Sequence, residues 1–143
     1  MLCIPQQRRV NVTFDEFIGM ERVTGDTADV ACIRLQPHHL NPTGNVNGGV
    51  IISLADNLST GVANRAYFDK TGQQRFLVGV DLHAVMLANQ QGGTLTARAR
   101  VVRVGRRVTV IRTEVRGDGD RLLAEITTTH VPVEYNARQR TGE

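Results

Sequence analysis

The chain has 143 residues, 41% hydrophobic and 22% charged, with a net charge of +3. That length suits one domain with a real core and is short for two, and the apolar share excludes a disordered chain. No segment approaches the run of about 20 apolar residues that spans a bilayer, so no membrane partner is expected. All but Lys70 of the 17 basic residues are arginines, which either suits phosphate contacts or reflects genome base composition. They are spread along the chain. Aromatics make up 4% with no Trp, too few to stack single-stranded bases, so no nucleic-acid partner is expected. Cys3 and Cys32 make no CxxC spacing and fit a reducing compartment. The opening "MLCIPQQRRV" has no apolar run of signal-peptide length, and the expected location is cytoplasmic.

In chain order, "TFDEFIGMERV" spaces Phe14, Phe17, Ile18 and Met20 for a short helix, with Thr13 as its cap. "TADVACIRLQP" sets Ala28, Val30, Cys32 and Arg34 against Asp29, Ala31, Ile33 and Leu35, a strand ended by Pro37, and Cys32 reads as core. After a polar loop, Val50, Ile51, Leu54, Ala55, Leu58 and Val62 form the apolar stripe of a helix running from Gly48 to about Tyr67. "RFLVGVDLHAVML" puts Phe76, Val78, Val80, Leu82 and Ala84 on one strand face. "GTLTARARVVRV", "RRVTVIRTEVR" and "RLLAEITTTHVPV" follow, divided by "NQQGG", Gly105 and "GDGD". Short turns between consecutive strands predict an antiparallel meander. The whole reads as a single domain over 1–143, with a helical lead-in over 1–25 and a frayed polar tail over 134–143.

Within "HHLNPTGNVNGGVIISLADNLSTG", Gly48 and Gly49 open the long helix and Asp56 sits two turns in. The first N–H groups of a helix lack acceptors and face a positive dipole end. Glycines there either make a tight turn capped by Asn47 or let a polarised carbonyl approach the backbone. Asp56 shares its helical face with Gly49, Ile52, Ser53, Ser59, Thr60 and Ala63. It is either a solvated carboxylate or a catalytic one among small residues. Gly48 and Asp56 are about 12 Å apart along the helix axis. Acting on one carbon, they would have to come from two chains, as a two-fold dimer supplies.

This segment resembles the active-site stretch of hotdog-fold thioesterases of the phenylacetate-degradation type: an Asn, a Gly, then His-Gly-Gly and an acid in the helix. "VGVDLHAVML" is similar to that family's next strand and "RVGRRVTVIRTEV" to its following turn and strand, so the likeness runs from about Thr27 to Val133. It implies an α+β hotdog fold, an antiparallel sheet wrapped around one long helix, and hydrolysis of an acyl-CoA thioester. It implies Asp56 as general base or nucleophile, Gly48 N–H polarising the thioester carbonyl, and Asn41 helping to hold the carbonyl or the water. Asn47, Gly49, Gly79 and Val80 fall among its substrate-binding positions. Arg103, Arg106 and Arg107 match the turn near which the family binds the coenzyme A nucleotide; on composition alone they are equally solvated turn residues. The implied assembly is a homodimer with shared sites that pairs into a tetramer, with no cofactor beyond the substrate's own coenzyme A.

Two positions depart from the pattern. Asn47 replaces the family's His, so it can donate and cap but not titrate near neutrality. Gly79 stands where a Ser or Thr helps hold water. These departures support a rival reading, a non-catalytic hotdog protein that binds an acyl-CoA or aromatic ligand; Asn47 also speaks against a dehydratase. Adjacent His38 and His39 make a poor metal pair, and no metal site is expected. His83, beside Asp81 in its strand, and His130, in a Thr-rich strand, read as structural.

Overall fold

The computed structural model describes residues 12–23 and 29–134. Cys3, Ala28, the start of the expected lead-in and the expected frayed tail beyond Glu134 lie outside them.

Helix α1 (Phe14–Ile18) is capped as its sequence suggests. The Thr13 hydroxyl accepts the Glu16 N–H at 3.3 Å, and the Glu16 carboxylate accepts the Thr13 N–H at 2.9 Å. That reciprocal pair satisfies two donors the helix cannot. The helix does not continue through Met20. Gly19 ends it at φ 71°, and Met20–Arg22 forms strand β1, antiparallel to β2 (Val30–Arg34). In β2 the core face is Ala31 and Ile33, both fully buried. They pair with buried Ala97 and Leu95. Cys32 lies on the opposite face and is only partly buried, which corrects its assignment to the core.

Helix α2 (Gly48–Thr71) runs four residues past the expected end and stops at Gly72, whose φ of 67° a side chain would disfavour. Ile51, Leu54, Ala55, Leu58, Val62 and Tyr67 are buried. So are Ser59 and Ala63, which share the helical face of Asp56. The sheet curls round more of the helix than one amphipathic stripe reveals. Buried Ser59 is satisfied locally, its hydroxyl donating to the Asp56 carbonyl at 3.0 Å.

Strands β3 (Phe76–Met86), β4 (Thr94–Val104), β5 (Thr109–Arg116) and β6 (Leu122–Val133) complete one six-stranded antiparallel sheet in the order β1-β2-β4-β5-β6-β3. One long helix inside the wrap of an antiparallel sheet is the α+β hotdog architecture.

The meander holds from β4 to β6 but not at β3. β3 pairs with β6, at the far edge from β2, and "NQQGG" is part of a crossover, not a hairpin turn. The reason is competition for β4: the apolar face of β2 matches β4 residue for residue, and β5 holds the other side. The link needs to cover three strand spacings, about 14 Å, and its seven residues reach about 23 Å extended. It is tied down along its length. Leu87 N–H and Ala88 N–H donate to the Leu123 carbonyl at 2.8 and 3.1 Å, Val46 N–H to Gln90 O at 2.8 Å, and Leu35 N–H to Gly93 O at 2.8 Å.

Gly93 is the tight point. It has φ 79°, and a β-carbon there would meet the Asp118 carboxylate at 1.8 Å, while Asp118 accepts the Thr94 N–H at 3.1 Å. Gly93→Ala should lose roughly 2–4 kcal/mol through strain and the displaced carboxylate. Denaturant melts would show this as a lowered midpoint with unchanged slope; a midpoint at the wild-type value would mean the crossover is not held there.

A bulge breaks β3 at Val80. Gly79 pairs with His130 and Asp81 with Thr129, leaving Val80 unpaired between them. The expected single face of Phe76, Val78, Val80, Leu82 and Ala84 is therefore wrong. Leu77 and Gly79 precede the break on the helix-facing side, and Leu82, Ala84 and Met86 continue it, opposite buried Thr128, Ile126 and Ala124.

Candidate active site

The loop before α2 is organised by Asn41. Its Oδ1 accepts the N–H of Thr43 at 3.0 Å, the Thr43 hydroxyl at 2.7 Å and the N–H of Asn45 at 3.2 Å. With that oxygen occupied, the side-chain NH₂ is the group Asn41 has left to offer. Asn47 caps α2, its Oδ1 accepting the Gly49 N–H at 2.8 Å. The cap and the glycine pair are thus both structural, yet the cap takes Gly49 and not Gly48. Among the described residues the Gly48 N–H finds no acceptor. A β-carbon on Gly48 would sit 3.5 Å from the Met86 methyl, so the helix start lies beside the end of β3.

Asp56 lies at the other end of that strand and is partly exposed. A β-carbon on Gly79 would meet Asp56 Oδ1 at 3.7 Å and His130 Nδ1 and Cε1 at 3.8 Å. The α2 carboxylate, the β3 glycine and the β6 imidazole therefore converge. Gly48 and Asn41 do not join them within the chain, as the roughly 12 Å of helix between Gly48 and Asp56 requires.

His130 is fully buried. Its Nε2 is 3.0 Å from the Thr128 hydroxyl. Burial pushes its pKa below 6.5, with the Asp56 charge pulling the other way. Its place in the core was readable from spacing, because Ala124, Ile126, Thr128 and His130 alternate on one strand face; its convergence with Asp56 was not. His83, expected as a hydrogen-bonded structural residue beside Asp81, is exposed, and no hydrogen bond joins the two among the described residues. His39 is structural: it sits buried, bonding the Ile18 carbonyl through Nε2 at 2.8 Å and accepting the Gln36 N–H at Nδ1. Burial lowers its pKa.

Val80, the bulged residue, is 58% exposed. Arg106 and Arg107, in the β4–β5 turn, line a groove of about 410 Å³ with Arg75, Tyr67, Val131 and Pro132. Val131 and Pro132 pair with Val78 and Leu77, next to Gly79. The groove is thus on the same end of the sheet as Asp56. Arg103 is exposed on β4, near the turn but outside the groove. Arg75 was not among the expected residues; it precedes β3 in a polar turn that carries no recognisable motif. Among the described residues no cluster of His, Cys, Asp and Glu could hold a metal, and no helix is long and apolar enough to cross a membrane.

A family model described as the thioesterase superfamily matches residues 43–124, from the loop before α2 to the first three residues of β6. The chain belongs to the thioesterase superfamily. It is a hydrolase of hotdog architecture. No curated protein matches this thioesterase in sequence. Among solved structures it is similar to a thioesterase from Haemophilus influenzae, with 22% identity over 84% of this chain and 82% of that one and a TM-score of 0.75. It is similar to a conserved protein from Pseudomonas aeruginosa, with 26% identity over 90% and 100% and a TM-score of 0.73. A Bacillus halodurans protein solved with CoA shares 22% identity over 83% and 74%, with a TM-score of 0.73.

Proposed function

We propose that this thioesterase hydrolyses an acyl- or aryl-acyl-CoA to the free acid and coenzyme A in sites shared between two subunits. The observation that carries the reading is the carboxylate of Asp56 beside the bare α-carbon of Gly79, on a strand whose second edge pairs with no other described strand. β3 is an edge strand of 11 residues. Leu82 and Met86 on its helix-facing side are 37% and 45% exposed. A long apolar edge invites pairing with another chain. Two-fold pairing of β3 with its copy would set the start of one strand against the end of the other. Asp56 of one protomer would then face the partner subunit's Gly48 and Asn41. A pair of such dimers would make the tetramer.

The chemistry follows from the groups. The Gly48 N–H, at the positive end of α2, donates to the thioester oxygen, and the Asn41 NH₂ helps hold it; such fixed donors act on the charge as it develops. Asp56, in reach of the carbonyl carbon, serves as base for water or attacks directly. Val80 and the Gly79 gap border the acyl chain. The CoA bound to the Bacillus halodurans relative supports the same ligand here, with phosphates on the arginine groove. A panel of acyl-CoA substrates with thiol-release detection tests the function; turnover of none would overturn it.

The groove has its own test. Arg106→Ala with Arg107→Ala should weaken coenzyme A binding roughly 3- to 10-fold at low salt, in line with exposed charge contacts. The difference should shrink as salt is raised. Unchanged affinity at low salt would return both residues to the role of solvated turn arginines.

A further inference from the structure

We propose that His130 is a catalytic residue of this site, its Nδ1–H holding the attacking water against Asp56 over the α-carbon of Gly79. The proposal rests on the thioesterase reading above and commits Asp56 to the role of general base.

Three observations converge on it. His130 is fully buried, yet its Nδ1 has no hydrogen-bond partner among the described residues. Native chains rarely leave such an atom unpaired, and those that do invite an explanation through water or catalysis. The unpaired atom lies on the ring edge nearest Asp56: one point, the β-carbon position of Gly79, is 3.7 Å from Asp56 Oδ1 and 3.8 Å from both Nδ1 and Cε1 of His130. Finally, position 79 is where the resemblance calls for a hydroxyl and this chain has none. The imidazole reaches from β6, the strand beside β3 on which His130 pairs with Gly79, toward the place that a side chain on β3 would occupy.

One tautomer suits both neighbours. Burial keeps the ring neutral around neutral pH, so it carries one N–H. The Thr128 hydroxyl, 3.0 Å from Nε2, can donate to it. That leaves the proton on Nδ1, facing a carboxylate that only accepts. A water accepting from Nδ1–H and donating to Asp56 keeps one lone pair for the thioester carbon. As the C–O bond forms, its proton passes to Asp56. Collapse of the tetrahedral intermediate breaks the C–S bond, and Asp56 returns the proton to the departing thiolate.

The test compares two replacements. Asparagine places its amide near the position of Nδ1, glutamine near that of Nε2. His130→Gln should lower kcat about 10²-fold, as expected for losing one donor at a reacting centre, with KM and Tm little changed. His130→Asn should stay within a few-fold of wild type. Gly79→Ser, whose β-carbon meets only ordinary contacts, should restore at least tenfold to His130→Gln by supplying a hydroxyl at the same spot. A kcat for His130→Gln near wild type overturns the proposal, as does equal damage from Asn and Gln without rescue by serine. Should these replacements unfold the chain, imidazole nitrogen NMR on the wild-type protein decides. Nδ1 protonated and Nε2 bare between about pH 7 and pH 8 supports the proposal, and the opposite tautomer overturns it. Asp56→Asn runs alongside: if it is inactive while His130→Gln is fully active, only this proposal fails. If Asp56→Asn is itself fully active, the thioesterase mechanism fails with it.

Discussion

Asp56→Asn should lower thioester turnover by roughly 10²–10⁴, the usual cost of removing a general base. The substitution keeps size and much of the polarity. No ion pair or side-chain hydrogen bond holds the Asp56 carboxylate among the described residues, and the side chain is partly exposed. Nothing in the fold leans on its charge except the pull on His130. Melting temperature and subunit assembly should therefore survive. Coenzyme A affinity should survive too, since Gly48 and the arginine groove are untouched. The measurement is kcat, ligand affinity and melting temperature on one preparation of each protein. Near wild-type turnover of a good substrate would reduce Asp56 to a surface aspartate. Loss of folding would make it structural.

The second large effect is on assembly. Leu82→Lys with Met86→Lys should yield a monomer whose turnover is down by more than about 10²-fold. Both side chains are over a third exposed in the single chain, so its own core tolerates lysine there. A paired β3 edge does not, because it would have to strip water from two ammonium groups with no partners. Sedimentation velocity at micromolar concentration, with activity assayed on the same sample, reads both outcomes. The wild type should sediment as a dimer or larger. A wild-type monomer that turns over substrate would sink the shared site, and so would a double-lysine variant that still dimerises.

Much of this was legible in the sequence, and the failures have physical causes. The long helix, its Asn47 cap, the glycine pair and the β4–β6 hairpins are set by neighbours within a few residues, and local pattern found them. The place of β3 is set by a contest between β2 and β3 for one edge of β4, which no window of sequence contains. "NQQGG" has turn chemistry whether it closes a hairpin or bends a crossover. The bulge at Val80 inverts half a strand's faces, and nothing in "VGVDLH" marks the extra residue. In the site, Asp56 and Gly48 stood out by type and spacing, and Asn41 only through the resemblance. His130 did not, because its importance lies in meeting Asp56 across three elements.

The edge position of β3 also bears on how the chain reaches its native state. The β4–β5 and β5–β6 pairings join neighbours and form with small loops. The β3–β6 ladder matches Met86 with Ala124 and Phe76 with Val133, closing loops of roughly 40–60 residues, whose entropy must be met before any contact rewards it. The strand that carries Gly79 and borders Asp56 is thus expected to dock late, onto a partly built sheet. Among the described strands it is held by β6 alone. Local opening should therefore begin there, so that amides of β3 exchange with solvent sooner than those of β4 and β5, and the proposed pairing with a second copy would slow them.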